Sequence, residues 1–180
     1  DLCCGTGDMS ILLAKYMKSS KNITGIDSAS QALLVARERS KLKYPSIEWI
    51  NADALETNLP SNNFDGLLMA YGLRNLCSYD GGLREAFRIL KPGGRAGILD
   101  FRSFQEFSVQ GLFQTIYLSV FVVPLASVFG LGKEYSYIKQ SLINFPSGSK
   151  QIHLALSAGF KKAKYMTLAK GQMGILFLEA

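Results

Sequence analysis

The stretches FDGLLMA (Phe64–Ala70) and RAGILDF (Arg95–Phe101) are apolar almost throughout rather than at alternate positions. Strands of that kind are covered on both faces, as in a parallel sheet packed between helices. The segment between them reads as a helix around Gly82 to Leu90, stopped by the KPGG of Lys91–Gly94, where proline and glycine break it. A strand, a crossover helix and a second strand in so short a span leave few options but an α/β fold.

The same alternation runs upstream. Ser10 to Met17 reads as a helix entered from a glycine turn, and NITGID (Asn22–Asp27) as a short strand ending in an acid. A helix starts at Ser30, with Leu33, Leu34 and Ala36 on its apolar side and Arg37, Glu38 and Arg39 outward. IEWIN (Ile47–Asn51) gives a third element. Near the C-terminus, Lys162–Leu168 and Met173–Glu179, separated by AKGQ, have the spacing of an antiparallel hairpin at the sheet edge. The expected fold is α/β, mostly parallel with a C-terminal antiparallel hairpin. It forms a single domain over residues 1–180, with an insertion at about 102–149. In such sheets ligands sit beyond the carboxyl ends of the strands. Asp1, Asp27, Asp53, Ala70 and Asp100 all fall at or just past those ends.

The first of these ends is a glycine turn, DLCCGTGD (Asp1–Asp8). Gly5 and Gly7 allow positive φ and close approach of a ligand to the backbone, and the following helix offers free N–H groups. A turn of this type follows a buried strand. The chain is therefore expected to be an N-terminally truncated fragment without its first strand, and a targeting segment cannot be read. The G-x-G-x-x-G spacing of dinucleotide sites lacks its third glycine, since Ser10 stands there. Asp8 places a carboxylate where a pyrophosphate would sit. That favours a phosphate-free nucleoside bearing a cation, and S-adenosylmethionine fits. Asp27, 20 residues after Gly7, is placed to accept hydrogen bonds from ribose hydroxyls, and Asp53 from an adenine amino group.

Three cysteines, two of them adjacent (Cys3 and Cys4), and one histidine (His153) suggest neither a disulfide framework nor a protein-built metal site. The net charge of +6 favours acidic partners, an anionic membrane surface among them. Leu112–Phe129 carries no charged residue over 18 positions, yet holds Gln114, Thr115, Ser119, Pro124 and Ser127. It reads as a lid or a surface dipping into a bilayer rather than a spanning helix.

Taken together, DLCCGTGD, Phe64–Asp65, YGLRN (Tyr71–Asn75), RILKPGGRAGILDF (Arg88–Phe101) and AGF (Ala158–Phe160) resemble the class I S-adenosylmethionine-dependent methyltransferases. Within them the chain is similar to the ubiquinone/menaquinone biosynthesis C-methyltransferase family, and its insertion to the cyanobacterial and plastid branch. The resemblance covers nearly the whole chain. It implies a Rossmann-like sheet, S-adenosylmethionine as cofactor, and Thr6, Asp27, Asp53 and Ala54 lining its site, with Ala70 at a further contacting position. Asp1, Gly5 and Gly7 complete the cofactor set.

The resemblance further implies C-methylation of a demethylated naphthoquinol, demethylphylloquinol or demethylmenaquinol. A benzoquinol of ubiquinone synthesis, or a catalytically silent quinone-binding module, is the alternative. Such a reaction needs a more nucleophilic ring carbon, obtained by removing a proton from a ring hydroxyl. In YGLRN, Arg74 would stabilise the developing naphtholate or polarise a water, Asn75 would orient that water, and Tyr71 would bound the ring. No metal is required. His153 reads as structural, and Tyr135 and Tyr137 as candidates for the acceptor pocket. The partners expected are a prenylated or phytylated naphthoquinol and a membrane surface met peripherally, in a plastid or a cyanobacterial cytoplasm. No nucleic acid is expected, because lysines and arginines are dispersed and AYGLRN replaces the motifs of nucleic-acid methyltransferases. An oligomer is compatible with all of this.

Overall fold

A computed structural model describes residues 1–103 and 141–180. Two sheets run edge to edge. β1 (Thr24–Asp27) pairs in parallel with β2 (Glu48–Asn51). β3 (Phe64–Ala70) pairs in parallel with β4 (Leu90–Phe101), and β4 then pairs antiparallel with β6 (Met173–Glu179), which pairs antiparallel with β5 (Lys162–Leu168). The N-terminal residues join the two. Leu2 forms a parallel bridge with Ile26 and donates its N–H to Leu68 O at 2.8 Å, while Cys4 N–H reaches Ile26 O at 2.9 Å. The spatial order is thus β2, β1, the Asp1–Cys4 run, β3, β4, β6, β5. Of the expected first strand, that run is what the chain contributes. The carboxyl ends of β1, β2, β3 and β4 all point to one edge.

The hairpin has the bounds expected from the sequence. Two other elements differ. The third helix, α3 (Tyr79–Ile89), begins three residues before Gly82. Gly81 and Gly82 are poor helix formers, but Ser78 caps the helix by accepting Gly81 N–H at 3.0 Å. Gly82 also lies so close to Leu76 that a Cβ would come within 2.3 Å of it. KPGG stops that helix yet does not separate it from the next strand. Leu90 already pairs with Phe64, Lys91–Gly94 bulge out, and pairing resumes at Gly66 and Arg95.

α1 (Asp8–Met17) and α2 (Ser30–Ser40) belong to the β1–β2 half. α2 buries Leu33, Ala36 and Ser40, but Leu34 is 56% exposed, so the apolar face is narrower than expected. Cys4, Ala14, Ile23, Leu33, Ala36, Ile47 and Trp49 form one hydrophobic cluster. A larger cluster, with Leu2, Met69, Leu83, Ile98, Phe145 and Leu176, fills the other half and also takes in Ile26 of β1 and Ala54. Leu2 and Cys4, two positions apart, belong to different clusters.

A further helix, α4 (Gly148–Ser157), packs against β5 and α3, with His153 on its exposed side. At the base of the insertion the Ser103 hydroxyl donates to the carbonyl of Phe145, whose buried ring meets Tyr79 edge-on at 5.7 Å. Leu112–Phe129, Tyr135 and Tyr137 lie outside the described residues.

Candidate functional site

The Asp1–Asp8 turn uses left-handed backbone at Cys3 (φ 60°), Gly5 (φ 52°) and Gly7 (φ 83°). The two glycines do different work. A Cβ on Gly5 would meet nothing within 4 Å, so its face is open. A Cβ on Gly7 would come within 2.5 Å of the Trp49 ring, so that glycine lets the turn rest on β2. Asp27 anchors the turn to the end of β1. Its Oδ2 accepts Gly5 N–H at 2.7 Å and its Oδ1 accepts Ala29 N–H at 2.8 Å. A carboxylate has about four lone-pair directions, so each oxygen keeps one for a vicinal diol.

Asp53 accepts Leu55 N–H through Oδ1 at 2.9 Å, beside the buried Ala54. The loop that carries both is pinned from α3. Glu85 accepts from the N–H (2.9 Å) and hydroxyl of Thr57, and from Arg88 Nε and Nη2, both at 2.7 Å. Arg88 in turn donates to Ser61 Oγ at 2.9 Å. The Arg88 guanidinium, helped by Thr57, holds the Glu85 carboxyl down at about 2.

Asp8 behaves differently from expectation. Its carboxylate accepts from Arg39 Nη2 at 2.6 Å and from the Thr6 hydroxyl at 2.9 Å, and Arg39 Nη1 also donates to Thr6 O at 2.8 Å. The Arg39 guanidinium and the Thr6 hydroxyl lower the Asp8 carboxyl below its usual range. Asp8 is therefore neutralised on the outer side of the turn and is no free counter-charge for a ligand. Thr6 likewise turns its hydroxyl toward Asp8 and its carbonyl toward Arg39, which leaves its N–H for the ligand side. The carboxylate that could meet an ammonium group is Asp1. Its Oδ2 accepts the Ser10 hydroxyl at 2.7 Å, while its Oδ1 is buried without a partner among the described residues. An orphaned buried carboxylate oxygen, an open glycine face, and two acids spaced for ribose and adenine fit an amino-acid nucleoside such as S-adenosylmethionine.

The second half of the site follows β3. Ala70 ends the strand and Tyr71 turns with φ 59°, its N–H bonded to Leu99 O at 2.7 Å. Leu73–Asn75 form a single 3-10 turn. Gly72 lies against Cys3, with a Cβ there falling within 2.9 Å of Cys3 Sγ, so the glycine turn and YGLRN are packed together. Burial, reinforced by the carboxylates of Asp27, Asp53 and Asp100, pushes the Cys3 thiol up to about 12. Burial and Asp27 push Cys4 up to about 12 as well. Both remain neutral thiols at ordinary pH.

Arg74 and Asn75 both reach back to Tyr71 O, Arg74 Nη1 at 2.8 Å and Asn75 Nδ2 at 3.1 Å. The Tyr71 hydroxyl donates to Met173 Sδ at 3.0 Å, and its ring packs at 5.2 Å, tilted by 45°, against Phe101. Tyr71 therefore presents ring rather than hydroxyl.

Arg74 also meets Asp100, which the sequence marked only as a strand end. Asp100 Oδ1 accepts Arg74 Nη1 at 2.7 Å and Phe101 N–H at 2.8 Å, and Oδ2 accepts Arg74 N–H at 3.1 Å. Burial raises the Asp100 carboxyl above its usual value against the pull of Arg74. A signal existed: an acid closing the apolar run ILDF faces the turn after the neighbouring parallel strand, where Arg74 stands.

Residues 1–177 match the family model described as the ubiE/COQ5 methyltransferase family. The 2-phytyl-1,4-naphtoquinone methyltransferase of Nostoc punctiforme is 43% identical over 178 residues, spanning 98% of this chain and 77% of that protein. The protein of the same name from Synechococcus elongatus is 43% identical over 183 residues, spanning 100% and 78%. In Arabidopsis thaliana, the 2-phytyl-1,4-beta-naphthoquinone methyltransferase, chloroplastic, is 40% identical over 180 residues, spanning 98% and 69%. Among solved structures, a SAM dependent methyltransferase from Aquifex aeolicus superposes with a TM-score of 0.70 at 18% identity, over 99% of this chain and 79% of that one. Phosphoethanolamine N-methyltransferase 2 of Haemonchus contortus, in complex with S-adenosyl-L-methionine, superposes with a TM-score of 0.72 at 16% identity, over 100% and 47%. These two likenesses are of fold.

Proposed function

Because the chain belongs to the ubiE/COQ5 methyltransferase family, we propose that it is an S-adenosylmethionine-dependent C-methyltransferase acting on a demethylated naphthoquinol of phylloquinone synthesis. The observation that carries the substrate is the shared naphthoquinone name of relatives 40–43% identical across the chain. The benzoquinol alternative is not favoured. A plastid or a cyanobacterial cytoplasm is the matching setting.

S-adenosylmethionine supplies, when bound, a methyl group already activated on a positively charged sulfur. Asp1 would take its ammonium, the open face of Gly5 and the turn through Thr6 and Gly7 would cradle its amino-acid end, Asp27 would take the ribose, and Asp53 with Ala54 would take the adenine. The acceptor lies across the Ala70 end of β3. There the ring of Tyr71 bounds it, and Arg74, with Asn75 beside it, holds the negative charge that grows on the ring oxygen as its proton leaves to water. Holding acceptor carbon and methyl group in line accounts for much of the rate.

The acceptor's tail places the enzyme at a membrane surface. Among the described residues no helix is long and apolar enough to cross a bilayer. Adsorption through Leu112–Phe129 is the reading taken from sequence.

Two experiments address these points in turn. The enzyme, with methyl-labelled S-adenosylmethionine, is offered 2-phytyl-1,4-naphthoquinol or a demethylated ubiquinol precursor in anionic vesicles. Label is expected in the naphthoquinol, and transfer only to the benzoquinol overturns the substrate. Vesicle flotation of the triple variant Phe121→Ser, Val122→Ser, Val123→Ser is expected to lose the protein from the lipid fraction. Undiminished flotation rejects that docking segment.

A further inference from the structure

We propose that Asp100 is a positioning residue of the acceptor site, acting through Arg74. The inference rests on the reading that Arg74 faces the acceptor oxygen, and adds what makes it do so.

Asp100 is 3% exposed and sits at the carboxyl end of β4, one strand over from Arg74. Three donors converge on it: Arg74 N–H, Arg74 Nη1 and Phe101 N–H. It thereby fixes both the backbone and the side chain of one residue. The aromatic rings of Phe101 and Tyr71 lie 5.2 and 5.8 Å from the guanidinium carbon, so the fork is held by its rings and turned by its acid. Nη1 is spent twice, on Asp100 and on Tyr71 O. Nε–H is buried and has no partner among the described residues.

A buried donor without an acceptor is costly. In a pair of charges that burial already penalises, it is hard to account for by stability alone. It is accounted for if Asp100 rotates the guanidinium so that an N–H is kept for an oxygen that arrives with the acceptor. The pair also starts with no net charge. Arg74 then offers a directed donor to the oxygen anion as it develops, rather than a bare cation that would bind any anion beforehand.

The test compares wild type, Asp100→Asn, Arg74→Gln and the double variant, using 2-phytyl-1,4-naphthoquinol. Asparagine keeps the size but puts an NH₂ group against a donor. Asp100→Asn is expected to lower kcat by about 10- to 100-fold, in line with a small misplacement of a catalytic group. Acceptor affinity, read by equilibrium dialysis, and S-adenosylhomocysteine affinity, read from the fluorescence of Trp49, should each stay within about threefold, since the ring contacts and cofactor acids are untouched.

In the Arg74→Gln background the same change is expected to have almost no further effect on kcat. An equal loss in both backgrounds would overturn the proposal, as would an unaltered kcat for Asp100→Asn alone. A broad fall in both affinities together with kcat would mark Asp100 as merely structural, and so also overturn it. If Arg74→Gln itself keeps full kcat, the underlying reading of Arg74 fails instead.

Should Asp100→Asn not fold, Arg74→Lys carries the test. It keeps the charge facing Asp100 but lacks the fork, so its kcat should fall as far as that of Arg74→Gln, and a near-normal kcat would overturn the proposal.

Discussion

Gly7→Ala is expected to abolish cofactor binding while costing the free protein several kilocalories per mole. Two penalties act at one atom. Gly7 has φ 83°, where an added Cβ costs about 1–2 kcal/mol. That Cβ would also lie 2.5 Å from the Trp49 ring and 3.0 Å from Ala36 Cβ, and overpacking of this kind costs about 1–3 kcal/mol. The chain can relieve both only by lifting the turn off β2, which carries Gly5 N–H away from Asp27 Oδ2. Since every 1.4 kcal/mol is tenfold, S-adenosylhomocysteine affinity should fall by about 100-fold or more. Calorimetric titration reads this directly. Gly5→Ala is the control: its side chain would enter open space, so only the backbone penalty and contact with the ligand remain. Equal affinities for Gly7→Ala and wild type would refute the packing argument.

The second large effect is on stability. Glu85→Ala leaves the buried Thr57 N–H and hydroxyl without an acceptor and strips Arg88 of its acid, leaving it Ser61. Stranding two buried donors costs about 1–3 kcal/mol each, and the part-exposed Arg88 adds less, so the thermal midpoint should fall by roughly 10 °C for a domain of this size. The sign of the pH dependence follows from the depressed carboxyl. Its folded value, about 2, lies below the ordinary 4.5. The stabilisation is therefore present above 4.5 and is lost as the pH falls from 4.5 toward 2. At about 1.4 kcal/mol per unit it amounts to some 3 kcal/mol. Glu85→Gln should flatten the midpoint between pH 5 and 3 relative to wild type. Thermal unfolding across that range measures it, and a parallel acid response in the two proteins would count against the assignment to Glu85.

How far the sequence could be read depends on the range of the interaction concerned. Phe64–Ala70 and the closing hairpin were legible because their composition answers to a single cause, burial on both faces or a turn of fixed length. The start of α3 was not, since glycine propensity points one way and the Ser78 cap together with the Leu76 contact points the other. The acids at strand ends were legible as a row. Their partners were not, because each is set by an element distant in the chain. Asp8 looked like a charge facing a ligand until α2 brought Arg39 to it from 31 positions away. Arg74 was marked for the naphtholate, but the acid that fixes it, Asp100, is brought by β4 from 26 positions away. The cofactor therefore rests on the orphaned Asp1 oxygen, on Asp27 and Asp53 and on the family, rather than on electrostatic rejection of phosphate by Asp8.

The division of the interior between Leu2 and Cys4 has a thermodynamic consequence. Each hydrophobic cluster is a separate store of cohesion, and the smaller one, around Trp49, can come apart at a lower free energy than the whole. On the proposed reading, a nucleoside held by the glycine turn, which rests on Trp49 of the smaller cluster, and by Asp53, beside Ala54 of the larger one, would grip both parts at once. Its free energy of association is then added to the cohesion of the weaker part by mass action. On that reading the donor would be a clasp as well as a reagent, and the emptied enzyme the looser one.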